Sequence, residues 1–120
     1  MLSGDHSIEI WGDGEQTRTF MYIDDCTYGI RLITDSDDAE PVNLGSDELV
    51  SINQMVGIVE QIAGVTLQRK HDLSAPQGVR GRSSDNAEIQ RRFGWAPSTS
   101  LADGLERTYR WVHDELKATL

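Results

Sequence analysis

The sequence predicts an α/β domain of short strands and roughly four helices, and three features carry that prediction. Ile8 and Ile10 alternate with polar neighbours and then stop at Gly12-Asp13-Gly14, as a short strand and its turn do. From Asp24 the apolar spacing becomes helical, with Cys26, Ile30 and Ile33. Ser51 and Gln54 form a capping box ahead of a second apolar stripe, Ile52, Met55, Val56, Val59 and Ile62.

The remaining elements follow in order. "TRTFMYI" alternates again, with Phe20 and Tyr22 on one face and Thr19, Met21 and Ile23 on the other, and reads as a second strand. The helix from Asp24 runs to about Thr34, with Asp24 and Asp25 at its positive end, and the polar "DSDDAE" linker follows it. "PVNLG" reads as a short apolar strand ending in Gly45. The capping-box helix stops at Gly64, and "VTLQRKH" is a further strand. "LSAPQGVRGRSS" is a loop on composition, with one proline, two glycines and two arginines in twelve residues. "DNAEIQRRFGWAP" is a short helix with Ile89 and Phe93 on one face, ended by Gly94 and Pro97 with Trp95 packing back. The last helix starts near Ser100, and Leu101, Leu105, Tyr109 or Thr108, Val112 and Leu116 form its expected buried stripe.

A chain of 120 residues fits one compact domain or a piece of a larger one, and 38% apolar residues suffice for a modest core. No run of eighteen apolar residues occurs, and "MLSGDHSIEI" lacks a basic segment followed by an apolar one. Neither a membrane span nor a signal peptide is expected. The single cysteine, Cys26, has no internal disulfide partner, which points to a reducing, cytoplasmic setting. The net charge is -9 and unevenly spread: residues 1–60 hold thirteen acids and two bases, residues 61–120 seven acids and nine bases. Such a surface repels polyanions, so nucleic acid is not an expected partner. A small anion can still bind where arginines converge.

Familiar catalytic constellations are absent from the sequence. It holds no G-x-G-x-x-G, P-loop, H-E-x-x-H or C-x-x-C. His6, His71 and His113 stand far apart and read as surface or packing residues, and Cys26 as a small core residue. The arginines are more informative. Arg18 follows the glycine turn, while Arg80 and Arg82 lie in "GVRGRSSD", where Gly81 permits close backbone approach. Rigid guanidinium forks on separate loops suit a diphosphate. Equally, these arginines can pair with the carboxylates abundant in the first half. Asp85 is open in the same way: it can accept from ribose hydroxyls, and it stands where an N-cap should, three residues before Glu88.

The order and spacing of "WGDGEQTRTFMYIDDCTYGI", "EPVNLGSDELVSINQM", "GVRGRSSDNAEIQRRFGWAP" and "LADGLERTYRWV" resemble the C-terminal part of extended short-chain dehydrogenase/reductases that act on nucleotide sugars. The second and third segments look most like the GDP-mannose 3,5-epimerase branch. The resemblance implies contacts to the nucleotide sugar from Gln16, Thr17 and Arg18, a diphosphate contact from Arg82 and a ribose contact from Asp85. It implies NAD as the cofactor only in an N-terminal Rossmann domain, because neither a glycine fingerprint nor a Tyr-x-x-x-Lys pair is present here: Cys26, Leu32 and His113 stand four positions after Tyr22, Tyr28 and Tyr109. The chain therefore reads as a single substrate-binding domain detached from its catalytic half. It is expected to bind a nucleotide sugar weakly, to be inactive alone and to form a homo-oligomer or domain-swapped dimer. The rival expectation is a non-enzymatic, acidic interaction module that keeps only the scaffold.

Overall fold

The computed structural model describes residues 4–120. In chain order the elements are β1 (Ser7–Trp11), β2 (Thr17–Arg18), α1 (Ile23–Thr34), β3 (Val50–Ser51), α2 (Ile52–Ala63), β4 (Gln68–Asp72), α3 (Ala87–Phe93) and α4 (Leu101–Thr119). Four helices and short strands make it α/β, as the patterning predicts. The chain divides into two compact units, one ending at Arg18 and resuming over Val50–Arg82, the other built from Thr19–Leu49 and Ser83–Leu120.

The first unit is a β–α–β arrangement. β1 and β4 pair in parallel, with Ser7 opposite Gln68 and Trp11 opposite Asp72. α2 supplies the crossover that parallel strands require. Its start follows from local sequence: the Ser51 hydroxyl accepts the Gln54 N–H, the Gln54 side chain accepts the Ser51 N–H, and Gly64 closes the helix in the left-handed conformation. Ile10 and Val56 form the buried apolar centre, with Gln16 and Ser51 as buried polar neighbours. β4 begins later than "VTLQRKH" suggests. Glu60 engages the intervening backbone: its carbonyl accepts Val65 N–H and its carboxylate accepts Leu67 N–H.

The expected second strand shrinks to Thr17 and Arg18, which pair antiparallel with β3. Residues 19–22 find no strand partner; Tyr22 is extended and packs on α4, where a Cβ on Gly104 would meet it at 3.2 Å. "PVNLG" likewise forms no ladder. Arg92 donates to the carbonyls of Glu40 and Pro41 at 2.7 and 3.0 Å, and Leu44 packs against Gly29 of α1.

In the second unit Ile89 is fully buried and Leu101 nearly so. The buried face of α1 runs through Gly29, which approaches Leu44 and Trp95 closely, and this leaves Ile30 exposed and Cys26 half-buried rather than in a core. Trp95 packs back as expected, with its ring 5.2 Å from that of Tyr28. Two carboxylates stitch the loops: Asp25 accepts the N–H groups of Ser98 and Thr99, and Glu48 accepts that of Leu101. The stripe expected along α4 is buried only at its start. Val112 and Leu116 are exposed.

Candidate functional site

The glycine turn after β1 is held by side chains far away in sequence. Gly12 and Gly14 both have positive φ, at 80° and 76°, which favours glycine. They are also closed over, since a Cβ on Gly12 would run into Gln77 and one on Gly14 into Asn53. Asn53 acts as a clamp. Its N–H donates to Gly14 O at 2.9 Å, its amide donates to Asp13 O and to the Glu15 carboxylate, and its Oδ1 lies 3.0 Å from His71 Nε2. Arg69 secures the clamp from β4, donating to Asn53 O at 3.1 Å and to Glu60 at 2.7 Å.

From this turn the chain enters β2, which has a neighbour on each side. Thr17 bridges to Gly81 in parallel, and its N–H donates to Arg80 O at 2.9 Å. Gly81 is required there, because a Cβ would stand 2.7 Å from Thr17 Oγ1. The structure thus brings residues 16–18 beside residues 77–82. Arg18 donates to its neighbour Thr17 O at 2.7 Å and to Gln77 O at 3.0 Å. Both acceptors are neutral, so the guanidinium is fixed while its charge is not cancelled by a carboxylate. Arg82 is exposed, and its side chain has no hydrogen-bond partner or ion pair among the described residues.

Arg80 differs. It donates to both oxygens of Asp13, at 2.9 and 3.0 Å. Its guanidinium, and then the Glu15 N–H, hold the Asp13 carboxyl below the ordinary aspartate range. Of the three arginines, one pairs with a first-half carboxylate and two do not. Gln16 is buried; its Nε2 donates to Trp11 O at 2.8 Å, while its Oε1 accepts nothing among the described residues.

Asp85 lies in the second unit. The N-cap of α3 is Asn86, with no side-chain cap bond, and Asp85 instead accepts Ala87 N–H through Oδ1 at 2.9 Å. The N-cap position thus falls one residue later than the spacing put it, while Asp85 still satisfies the first N–H of α3. Asp85 lines a pocket of about 250 Å³ with Pro41, Val42, Asn43 and Glu88. Arg92 braces the pocket's linker, donating to Asp38 at 2.8 Å as well as to the carbonyls of Glu40 and Pro41. No group of three or more potential metal ligands occurs among the described residues, and none of their helices is long and apolar enough to cross a membrane. Sequence reasoning missed Asn53, Gln77 and Arg92. Each acts across tens of residues, where no local spacing signals it.

Comparison with known proteins follows the same direction. The NAD dependent epimerase/dehydratase family pattern matches residues 1–45. GDP-mannose 3,5-epimerase 1 of Oryza sativa subsp. indica is 48% identical over 91% of this chain and 29% of its own length. GDP-mannose 3,5-epimerase of Arabidopsis thaliana is 47% identical over 91% and 29%. Among solved structures, UDP-glucuronic acid 4-epimerase from Bacillus cereus, in complex with UDP-glucuronic acid and NAD, superposes with a TM-score of 0.85 at 30% identity, over 94% of this chain and 37% of that one. The chain spans between 29% and 37% of the length of these relatives. The resemblance to a C-terminal portion of the extended short-chain dehydrogenase/reductases therefore holds in sequence and in fold.

Proposed function

We propose that this chain is the nucleotide-sugar-binding portion of an NAD-dependent epimerase/dehydratase-type protein, with a GDP-mannose-like ligand and no turnover by the chain alone. The observation that carries the reading is the state of the two arginines. Arg18 is immobilised by the carbonyls of Thr17 and Gln77, and Arg82 has no partner among the described residues, so both retain their charge for a diphosphate. Arg80, between them in role, is occupied by Asp13. Thr17 lies on the same stretch and extends the contact toward the sugar, whereas the buried Gln16, its amide on Trp11 O, supports that stretch from beneath rather than touching the ligand. On the second unit, Asp85 has a carboxylate oxygen that takes no hydrogen bond among the described residues, and it serves a ribose hydroxyl.

The residues present do not fit a dinucleotide. The glycine turn after β1 leads into β2 rather than into a helix, and the side chains of Gln77 and Asn53 cover its two glycines. No chemical step is assigned to NAD in this chain. What its own residues supply is binding: two guanidinium forks for phosphate oxygens, and an acidic surround that discourages polyanions. The lone Cys26 accords with a cytoplasmic setting.

NMR titration of the 120-residue chain with GDP-mannose, GDP and inorganic phosphate tests the reading. Shifts are expected to cluster at residues 16–18 and 82–85, with GDP and GDP-mannose outcompeting phosphate. Shifts scattered over the surface, or equal for all three, would favour the acidic interaction module instead.

A further inference from the structure

The second unit carries an apolar groove of about 580 Å³ between residues 20–23 and the first turns of α4. Its walls include Tyr22, Ile23, Leu101, Leu105 and Trp111. Beyond the groove the same helix continues for two more turns with its apolar side chains in solvent. Val112 is 40% and Leu116 51% exposed there, and Trp111, which also lines the groove, is 64% exposed. One helix thus presents both a groove wall and an unburied ridge, which is the self-complementarity a two-fold interface needs.

The charges select the arrangement. Residues 107, 111 and 115 are four apart and share a face of α4. Arg107 lies over the Tyr22 ring, 5.4 Å from its centroid, and makes no ion pair among the described residues. The Glu115 side chain makes none either. An antiparallel pairing of two α4 helices about an axis at Trp111 sets Arg107 opposite Glu115 of the second copy, twice. A parallel pairing would set like charges side by side, which is unfavourable.

We propose that this groove is the docking site for α4 of a second copy of this chain, antiparallel, with Trp111 at the two-fold axis and an Arg107–Glu115 pair on either side of it. The helix is 19 residues, about 28 Å long, so the contact is smaller than the roughly 800 Å² per partner of a standard stable interface. The dimer is accordingly a weak one, forming at high micromolar concentrations. It uses no residue of the proposed ligand site and stands independently of that reading.

Analytical ultracentrifugation from about 10 μM to 1 mM tests it, with circular dichroism confirming that each variant is folded. The apparent mass is expected to climb from the 13.4 kDa monomer toward twice that value. Trp111→Glu, at an exposed helix position, should hold the chain monomeric. Arg107→Glu and Glu115→Arg should each weaken association about tenfold or more, and the double charge swap should restore it. A monomer throughout the range overturns the proposal. So does association that ignores Trp111→Glu, or a double swap no better than either single change.

Discussion

Arg18 donates Nη2 to the carbonyl of Gln77 at 3.0 Å, across 59 residues of sequence. The only arginine before Arg31 is therefore held by a backbone dipole, not by one of the many acids around it. That relationship explains why the Gly12-Asp13-Gly14 corner precedes it. Gln77 covers Gly12 with its side chain and receives Arg18 with its carbonyl, so turn and cation are fixed together.

Gly81→Ala should destabilise the first unit by about 1–3 kcal/mol, the usual cost of overpacking. The new Cβ would stand 2.7 Å from Thr17 Oγ1, on a side chain too stiff to swing away. Adding Thr17→Ala should recover part of the loss. Urea denaturation of the two single variants and the double one measures the coupling.

Ser51→Ala should cost about 1 kcal/mol, because it removes half of a capping box at the start of α2. The same change loosens the Asn53 clamp two residues further on. Thermal unfolding reports the loss, and Ser51→Thr should retain most of the stability.

Arg92→Ala should release the linker of residues 38–41 without unfolding the second unit. Three of its donors end on that linker, at Asp38, Glu40 and Pro41. Hydrogen exchange is expected to speed up over residues 37–45 and to stay unchanged in α4. Lysine cannot replace the three-way fork, so Arg92→Lys should behave like alanine.

In the acid range stability should fall as pH falls. Hydrogen bonds from Arg80, Arg92 and Arg69 lower the folded pKa values of Asp13, Asp38 and Glu60, and Ser74 does the same for Asp72. For a depressed carboxyl the contribution is complete above its unfolded pKa and disappears as pH falls through the folded one. Melting temperature is thus expected to be level above about pH 5 and to drop below about pH 4. Glu60→Gln should flatten that acid limb most, since Glu60 holds both Arg69 and the Leu67 N–H.

What could be read from sequence was what is local. The capping box at Ser51, the stop at Gly64 and the glycine turn lie within a few residues of their causes, and the structure has them as expected. Residues 19–22 and 41–45 alternate as strands do, but alternation marks any extended segment packed on one side. A ladder also needs a partner with free backbone groups, and here Arg92 and α4 supply packing instead. The outer half of α4 has a core helix's stripe with nothing described against it. At the site, spacing alone left Arg18, Arg80 and Arg82 equivalent. The resemblance implied roles for Arg18 and Arg82, and the fold sets Arg80 apart physically by placing Asp13 against it and carbonyls against Arg18.

The affinity of GDP-mannose for the parent chain and for Arg82→Ala decides whether the uncancelled arginines are a binding device. The Arg82 side chain makes no hydrogen bond or ion pair among the described residues, so its removal isolates ligand contact from stability. A charged hydrogen bond contributes roughly 1.5–3 kcal/mol, so affinity should fall about 10- to 100-fold from a value of about millimolar. Arg31→Ala, which breaks an exposed pair with Asp35, should leave it unchanged. Equal affinities for the parent chain and Arg82→Ala would show that Arg82 is a solvated surface cation and that the proposed diphosphate contact does not exist.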